Sequence, residues 1–232
     1  MEKSLIRENL ERVRNRVALA CRRGGRKPEE VRLIAVTKGV SPPQIKEAVD
    51  AGISELGENR LQEAEGKIGV FKDRPVNWHF IGRIQRNKVK KMVNYFHWIH
   101  SLDSLQLAEA VDRHAELLGK SMPVLLQLNL TGKETQGGIK EEELFDLIER
   151  MNQLSHLDLR GLMVIGPLTS DQSKIRKVFK RLREIKELVN REMPAVGLSE
   201  LSMGMSNDYE IAIEEGATMI RLGRAIFGER SY

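Results

Sequence analysis

The sequence is poor in the features that mark several large functional classes. It has one cysteine, Cys21, in 232 residues, so no intrachain disulfide can form. No apolar run approaches the roughly 18 residues that a membrane-spanning helix needs. The opening residues, MEKSLIRENLERVRNRVALACRR, hold no uninterrupted apolar core and do not read as a secretory signal. One thiol and no such signal make a reducing cytoplasm the expected compartment. Metal-site spacings such as His-Glu-x-x-His and Cys-x-x-Cys are missing, so no metal site is expected. The Gly-x-x-x-x-Gly-Lys phosphate loop and the Gly-x-Gly-x-x-Gly dinucleotide fingerprint are missing too. GMSND (204–208) opens like a nucleophile elbow but lacks the closing glycine.

What is present describes a chain able to bury a sizeable core. Hydrophobic residues make up 41% and charged residues 31%, with a formal charge of +5. The basic residues interleave with acids, as in KRLREIKEL (180–188), a pattern of solvated helix faces. RIQRNKVKK (83–91) is the densest basic stretch. It keeps nucleic acid among the alternatives, although an acidic or phosphorylated small ligand suits a modest positive excess equally well. Cys21 follows Ile6, Leu10, Val13 and Val17 at helical spacing and reads as a small residue on a buried helix face.

After that amphipathic helix (2–23), strand-like and helix-like segments alternate. Apolar, β-branched runs fall at 31–37, 53–59, 77–82, 98–103, 123–130, 159–166, 200–206 and 218–223. Stretches of helical period lie between them, several opening on an expected N-cap at Ser41, Asn59, Ser104 or Ser206. Continuous apolar strands alternating with helices point to a parallel sheet. Eight such units close most naturally into an α/β (β/α)8 TIM barrel, which typically takes ~250 residues. An open doubly wound sheet is the alternative. No linker interrupts the chain, so one domain over 1–232 is expected.

In such a barrel the chemistry sits at the C-terminal ends of the strands. Those ends are Lys38, Asn59, Gly82, Asp103, Asn129, Gly166, Ser206 and Gly223. Lys38 shares the parity of Ile34 and Val36, so it projects into the barrel mouth if those residues line the interior. It is either a solvated cap, an ion-pair partner of Glu58 or Asp103, or a nucleophilic amine able to form a Schiff base. SMGMSNDYE (202–210) and RLGRAIFG (221–228) end the last two strands with small residues before a helical turn. That is where barrels frequently hold phosphate. Arg221 shares parity with Met219 and Gly223 and reads as pointing inward, toward a carboxylate such as Glu200 or Glu58 or toward a ring nitrogen.

Several ordered stretches carry a resemblance that covers essentially the whole chain. They are LIAVTK (33–38), GEN (57–59) with QEA (62–64), WHFIG (78–82) with QRNK (85–88), RGLM (160–163), LSMGMSND (201–208) and IRLGRAIFGER (220–230). On these residues the chain resembles the pyridoxal phosphate homeostasis protein family (the YggS/PROSC family). The resemblance implies a barrel like the N-terminal domain of alanine racemase, the type III fold of pyridoxal phosphate (PLP) proteins. It implies PLP as cofactor, joined to Lys38 as a Schiff base, with Arg221 facing the pyridine nitrogen. Ser206, Gly223 and the backbone of Arg224 would hold the phosphate, with Asn59 and His79 in the pocket. Two positions depart from the family pattern. Arg224 stands where many relatives carry a small hydroxyl residue. Gln136 stands where they usually carry lysine, which argues against a hand-over role for that loop.

The chemistry expected of such a site is modest. PLP acts as an electron sink, best with a protonated ring nitrogen, and an arginine there disfavours that proton. Racemases of this fold use such an arginine together with a tyrosine from a further domain of a partner chain. Here the sequence stops at Tyr232, and Tyr95, Tyr209 and Tyr232 read as packing or terminal residues. No catalytic residue is therefore assigned. The expectation is a non-catalytic PLP-binding protein that stores the cofactor and supplies PLP-dependent apo-enzymes, as a monomer or weak dimer. The alternatives are a PLP-dependent racemase or other Schiff-base enzyme, and a nucleic-acid binder working through residues 83–91.

Overall fold

Eight short parallel strands form a closed barrel in the computed structural model, which describes residues 4–229. The strands are β1 (Arg32–Val36), β2 (Glu55–Glu58), β3 (Asn77–Phe80), β4 (Trp98–Leu102), β5 (Met122–Leu128), β6 (Leu157–Val164), β7 (Glu200–Ser202) and β8 (Met219–Leu222). Each pairs with its successor, and β1 closes on β8 with Ile34 opposite Arg221. The helices are α1 (Leu5–Arg23), α2 (Pro42–Asp50), α3 (Leu61–Val70), α4 (Val89–Tyr95), α5 (Leu105–Leu117), α6 (Leu144–Met151), α7 (Gln172–Glu192), α8 (Tyr209–Glu214) and α9 (Arg224–Phe227). All eight strand expectations correspond to strands, and the closed order excludes the open doubly wound sheet.

Period-two alternation divides the strand residues between two cores. Ile34, Leu125, Met163 and Met219 meet inside the barrel. Ala35, Leu56, Trp78, Phe80, Leu126, Leu162, Leu201, Ile220 and Leu222 face outward into the larger core beneath the helices. Strand β4 breaks the pattern: its register against β5 shifts between Ile99 and Leu102. This bulge sends both Ile99 and Leu102 into the outer core, although parity alone would set Leu102 inside with Trp98 and His100.

Helix α1 presents Ile6, Leu10, Val13, Val17 and Cys21 as its buried stripe, as their spacing predicts. Burial raises the Cys21 thiol pKa, with the charge of Arg26 opposing. Ser4 caps α1 by accepting from the Arg7 N–H. The buried Asn9 side chain donates to the Ile226 carbonyl at 3.0 Å, tying α1 to α9. Two N-cap expectations fail. Ser41 and Ser104 do precede α2 and α5, but α3 starts after Arg60 rather than Asn59, and α8 after Asp208 rather than Ser206. Both displaced residues belong instead to loops at the C-terminal ends of strands.

Candidate functional site

Lys38 follows β1 in a tight turn, half-buried, with no hydrogen bond or ion pair among the described residues. The two carboxylates that could have neutralised it are otherwise disposed. Glu58 shares parity with Leu56, so it leaves the barrel on the outer side, fully buried. There its Oε1 accepts from Lys67 Nζ of α3 and from Thr37 Oγ1, each at 2.6 Å. Lys67 also donates to the Thr37 carbonyl at 2.7 Å, pinning the peptide that leads into Lys38. Burial pushes the Asp103 carboxyl up, while a Gly138 backbone donor and the charge of Arg83 pull it down. The Glu58 alternative for Lys38 therefore falls away because β1 and β2 alternate, and Asp103 makes no ion pair with Lys38 among the described residues.

Arg221 does project into the barrel from β8, 5% exposed. Neither Glu200 nor Glu58 receives it. Glu200 binds Arg32 and accepts from Thr218 Oγ1. Arg221 instead donates through Nη1 to Ser202 Oγ at 2.7 Å and through Nη2 to the Val164 carbonyl at 2.9 Å. Burial without a bonded carboxylate lowers its pKa to about 10, and the charge of Asp208 works the other way. It remains a cation at neutral pH.

The last two loops meet. Ser206 Oγ accepts from the Ala225 N–H at 3.2 Å, across from the loop after β7 to the first turn of α9. Gly223 is the residue before α9 and Arg224 its first residue. The Arg224 guanidinium turns outward, half-exposed, toward Glu229 at 3.8 Å. Gly204, at φ +91°, stands where a Cβ would come within 2.6 Å of Ala212 Cβ, and its carbonyl accepts from the Arg221 N–H. A side chain there would part the β7 loop from α8.

A cavity of about 280 Å³ opens at the C-terminal ends of β2 to β6, and Lys38, Ser206, Arg221 and Gly223 are not among its walls. Asn59, Gly82, Ser101, Asp103, Gln127 and Gln136 are among its walls. The buried Asn59 Oδ1 has no hydrogen-bond partner. Gln136 packs into this wall, its side-chain oxygen accepting from Thr131 Oγ1 and its backbone carbonyl from Gln127 Nε2. Ser101 and Gln127 escaped the sequence reading. The β4 bulge hides Ser101 from a parity count, and Gln127 lies one residue short of the end of β5.

His79 occupies a different place from the rest. It is fully buried inside the barrel, with Nε2 at 2.6 Å from Glu55 Oε2 and Nδ1 at 2.9 Å from His100 Nε2. Both ring nitrogens are thus taken by protein groups, which leaves none for a ligand. Burial holds His79 and His100 below the usual imidazole range, His100 further; at His79 the Glu55 carboxylate opposes this. Both are neutral near pH 7. Among the described residues no helix is long and apolar enough to cross a membrane. Nor does any group of three or more His, Cys, Asp or Glu residues stand ready to hold a metal ion.

Comparison with known proteins agrees with this geometry. The alanine racemase N-terminal domain model matches residues 5–231. The pyridoxal phosphate homeostasis protein of Aquifex aeolicus is 42% identical over 97% of this chain and 98% of its own. The protein of the same name from Pseudomonas aeruginosa is 42% identical over 99% and 97%. Among solved structures, PipY of Synechococcus elongatus PCC7942, with PLP bound, superposes with a TM-score of 0.87 at 39% identity, covering 96% of this chain and all of that one. The chain, a closed barrel matched by that domain model over residues 5–231 and by relatives 42% identical over nearly its whole length, belongs to the pyridoxal phosphate homeostasis protein family.

Proposed function

We propose that this protein binds PLP at the mouth of its barrel and acts without catalysis, holding the cofactor in the cytoplasm and supplying it to PLP-dependent apo-enzymes. The observation that carries the reading is the Lys38 amine, which has no counter-ion among the described residues while Glu58 is committed to Lys67. The residues present fit the group. Asn59 Oδ1 is a buried acceptor still lacking a donor. Ser206, joined to the first turn of α9 through the Ala225 N–H, follows β7 and Gly223 follows β8, the two strand ends where such barrels frequently hold phosphate. When bound, PLP supplies an aldehyde that condenses with an amine and an aromatic ring that can draw off electrons.

The residues of this chain suit retention better than turnover. Arg221 can only donate hydrogen bonds, so it does not favour a proton on a ring nitrogen facing it. A racemase also needs a second base. Tyr209 is buried beneath α1, with Arg16 over its ring, and Tyr95 packs against the outer core. Both are taken up in packing, and Tyr232 lies outside the described residues.

The test has two arms. Purified protein loaded with PLP should be yellow and should activate an added apo-enzyme, and the Lys38→Ala variant should be colourless. Incubated in D2O with a panel of amino acids, the loaded protein should leave Cα protons unexchanged. Sustained exchange or racemisation of any of them would make it an enzyme, and failure to transfer would remove the supply role.

A further inference from the structure

The barrel interior holds a chain of hydrogen bonds that the reading above does not use. It runs from Glu55 on β2 through His79 on β3, His100 on β4 and Ser202 on β7 to Arg221 on β8. The successive distances are 2.6, 2.9, 2.8 and 2.7 Å. His79, His100 and Ser202 are each fully buried. We infer that these groups form a one-way relay that fixes the Arg221 guanidinium in place and links it to the Glu55 carboxylate as a distant counter-charge, so that His79 and His100 are positioning residues for the mouth.

The direction of the relay follows from counting donors and acceptors. Arg221 has donors only, so Ser202 Oγ accepts from it. The serine has one proton of its own. No other acceptor for it appears among the described residues, so it goes to His100 Nδ1. A bare Nδ1 places the proton of neutral His100 on Nε2, which donates to His79 Nδ1. His79 then carries its proton on Nε2 and donates to Glu55. A donor-only group at one end and an acceptor-only group at the other leave one polarity for the four bonds. A second proton on either ring would set two donors face to face or leave the Ser202 hydroxyl proton without an acceptor.

The surroundings hold the relay in register. The Trp98 ring lies parallel to His79, centroids 6.0 Å apart, and Arg32 sits over Trp98 at 4.9 Å. Asn77 Nδ2 donates to the other Glu55 oxygen at 3.0 Å. Burial raises the Glu55 carboxyl, but the bonds from His79 and Asn77 outweigh it and keep the group ionised. At the far end, Arg221 has no carboxylate within ion-pair distance among the described residues, and three of its five N–H donors meet no protein acceptor. A guanidinium set in this way offers a fixed array of donors rather than a mobile charge. The consequence for a bound cofactor rests on the reading that Arg221 faces its ring nitrogen; the polarity of the relay does not.

Nitrogen-15 NMR of cofactor-free protein labelled at histidine and arginine tests the relay. Near pH 7, His79 and His100 should both appear as neutral Nε2–H tautomers. An Nδ1–H form or a doubly protonated ring at either position overturns the inference. Ser202→Ala should leave the His100 tautomer mixed and speed proton exchange at the Arg221 guanidinium by about tenfold or more, and Ser202→Thr should restore both. Unchanged exchange in Ser202→Ala overturns the positioning role. Adding PLP to wild-type protein should shift the Arg221 nitrogen signals, and Glu55→Gln should move the visible absorption of the loaded protein. If the tautomers are as stated but PLP leaves the Arg221 signals untouched, the placement of Arg221 against the cofactor fails while the relay stands.

Discussion

Replacing Lys67 with methionine isolates the interaction that leaves Lys38 without a counter-ion. Glu58 is fully buried and the Lys67 side chain is 11% exposed, so water can do little to replace the lost ammonium. The variant would strand a carboxylate whose Oε2 already has no partner, leaving it the Thr37 hydroxyl alone. At 2.6 Å and an effective dielectric near 20, the pair attracts by roughly 6 kcal/mol before desolvation is subtracted. Breaking a buried pair from one side costs about 3–5 kcal/mol, which for a chain of this size lowers Tm by on the order of 10 °C. The double variant Glu58→Met with Lys67→Met should recover most of that loss, because Thr37 Oγ1 keeps its bond to the Gly57 carbonyl. Urea unfolding of cofactor-free protein at constant m-value measures both. A single variant that loses less than about 1 kcal/mol, or a double variant no more stable than the single, would refute the buried-pair account. Because Lys67 also holds the Thr37 carbonyl, the single variant should speed amide exchange around Lys38.

Gly204→Ala combines a left-handed backbone with a Cβ 2.6 Å from Ala212 Cβ, and should cost about 1–3 kcal/mol; an unchanged thermal midpoint would contradict the geometry. Asn9→Ala removes a buried bond to the Ile226 carbonyl and should cost about 1–3 kcal/mol. It should also weaken PLP binding by loosening α9, which equilibrium titration would detect; equal affinity would detach α9 from the site. His79 and His100 are buried neutral, so the folded state binds fewer protons than the unfolded chain just below the free-imidazole value of 6.5. Stability is then complete above about pH 6.5 and falls as pH drops below it. A urea midpoint unchanged between about pH 7 and about pH 5.5 would contradict their burial in the neutral form.

Much of this architecture was legible in the residue order because each strand carries its own period. Ile34 and Lys38 share parity, and the inward place of Ile34 on β1 follows from that alternation. The buried stripe of α1 was visible for the same reason at helical spacing. Two things escaped. The pairing of Lys38 with Glu58 looked open because the two residues are near in topology, yet parity puts Glu58 on the outer side, where Lys67 meets it from α3. That contact needs the register of two strands and a helix together, although Glu58 following Leu56 by two was a usable signal. The relay is harder to see. Its members come from five strands, with His100 and Ser202 102 residues apart in sequence, and a local reading sees only isolated histidines. The β4 bulge compounds this by breaking alternation where Ser101 and Asp103 turn toward the mouth.

The most direct measurement is chemical. Wild-type protein loaded with PLP is reduced with borohydride, digested, and mapped by mass spectrometry. A single pyridoxyl group on Lys38, absent from the Lys38→Ala variant, is the predicted result. A pyridoxyl group on Lys67 or any other side chain, or none at all, would contradict the account.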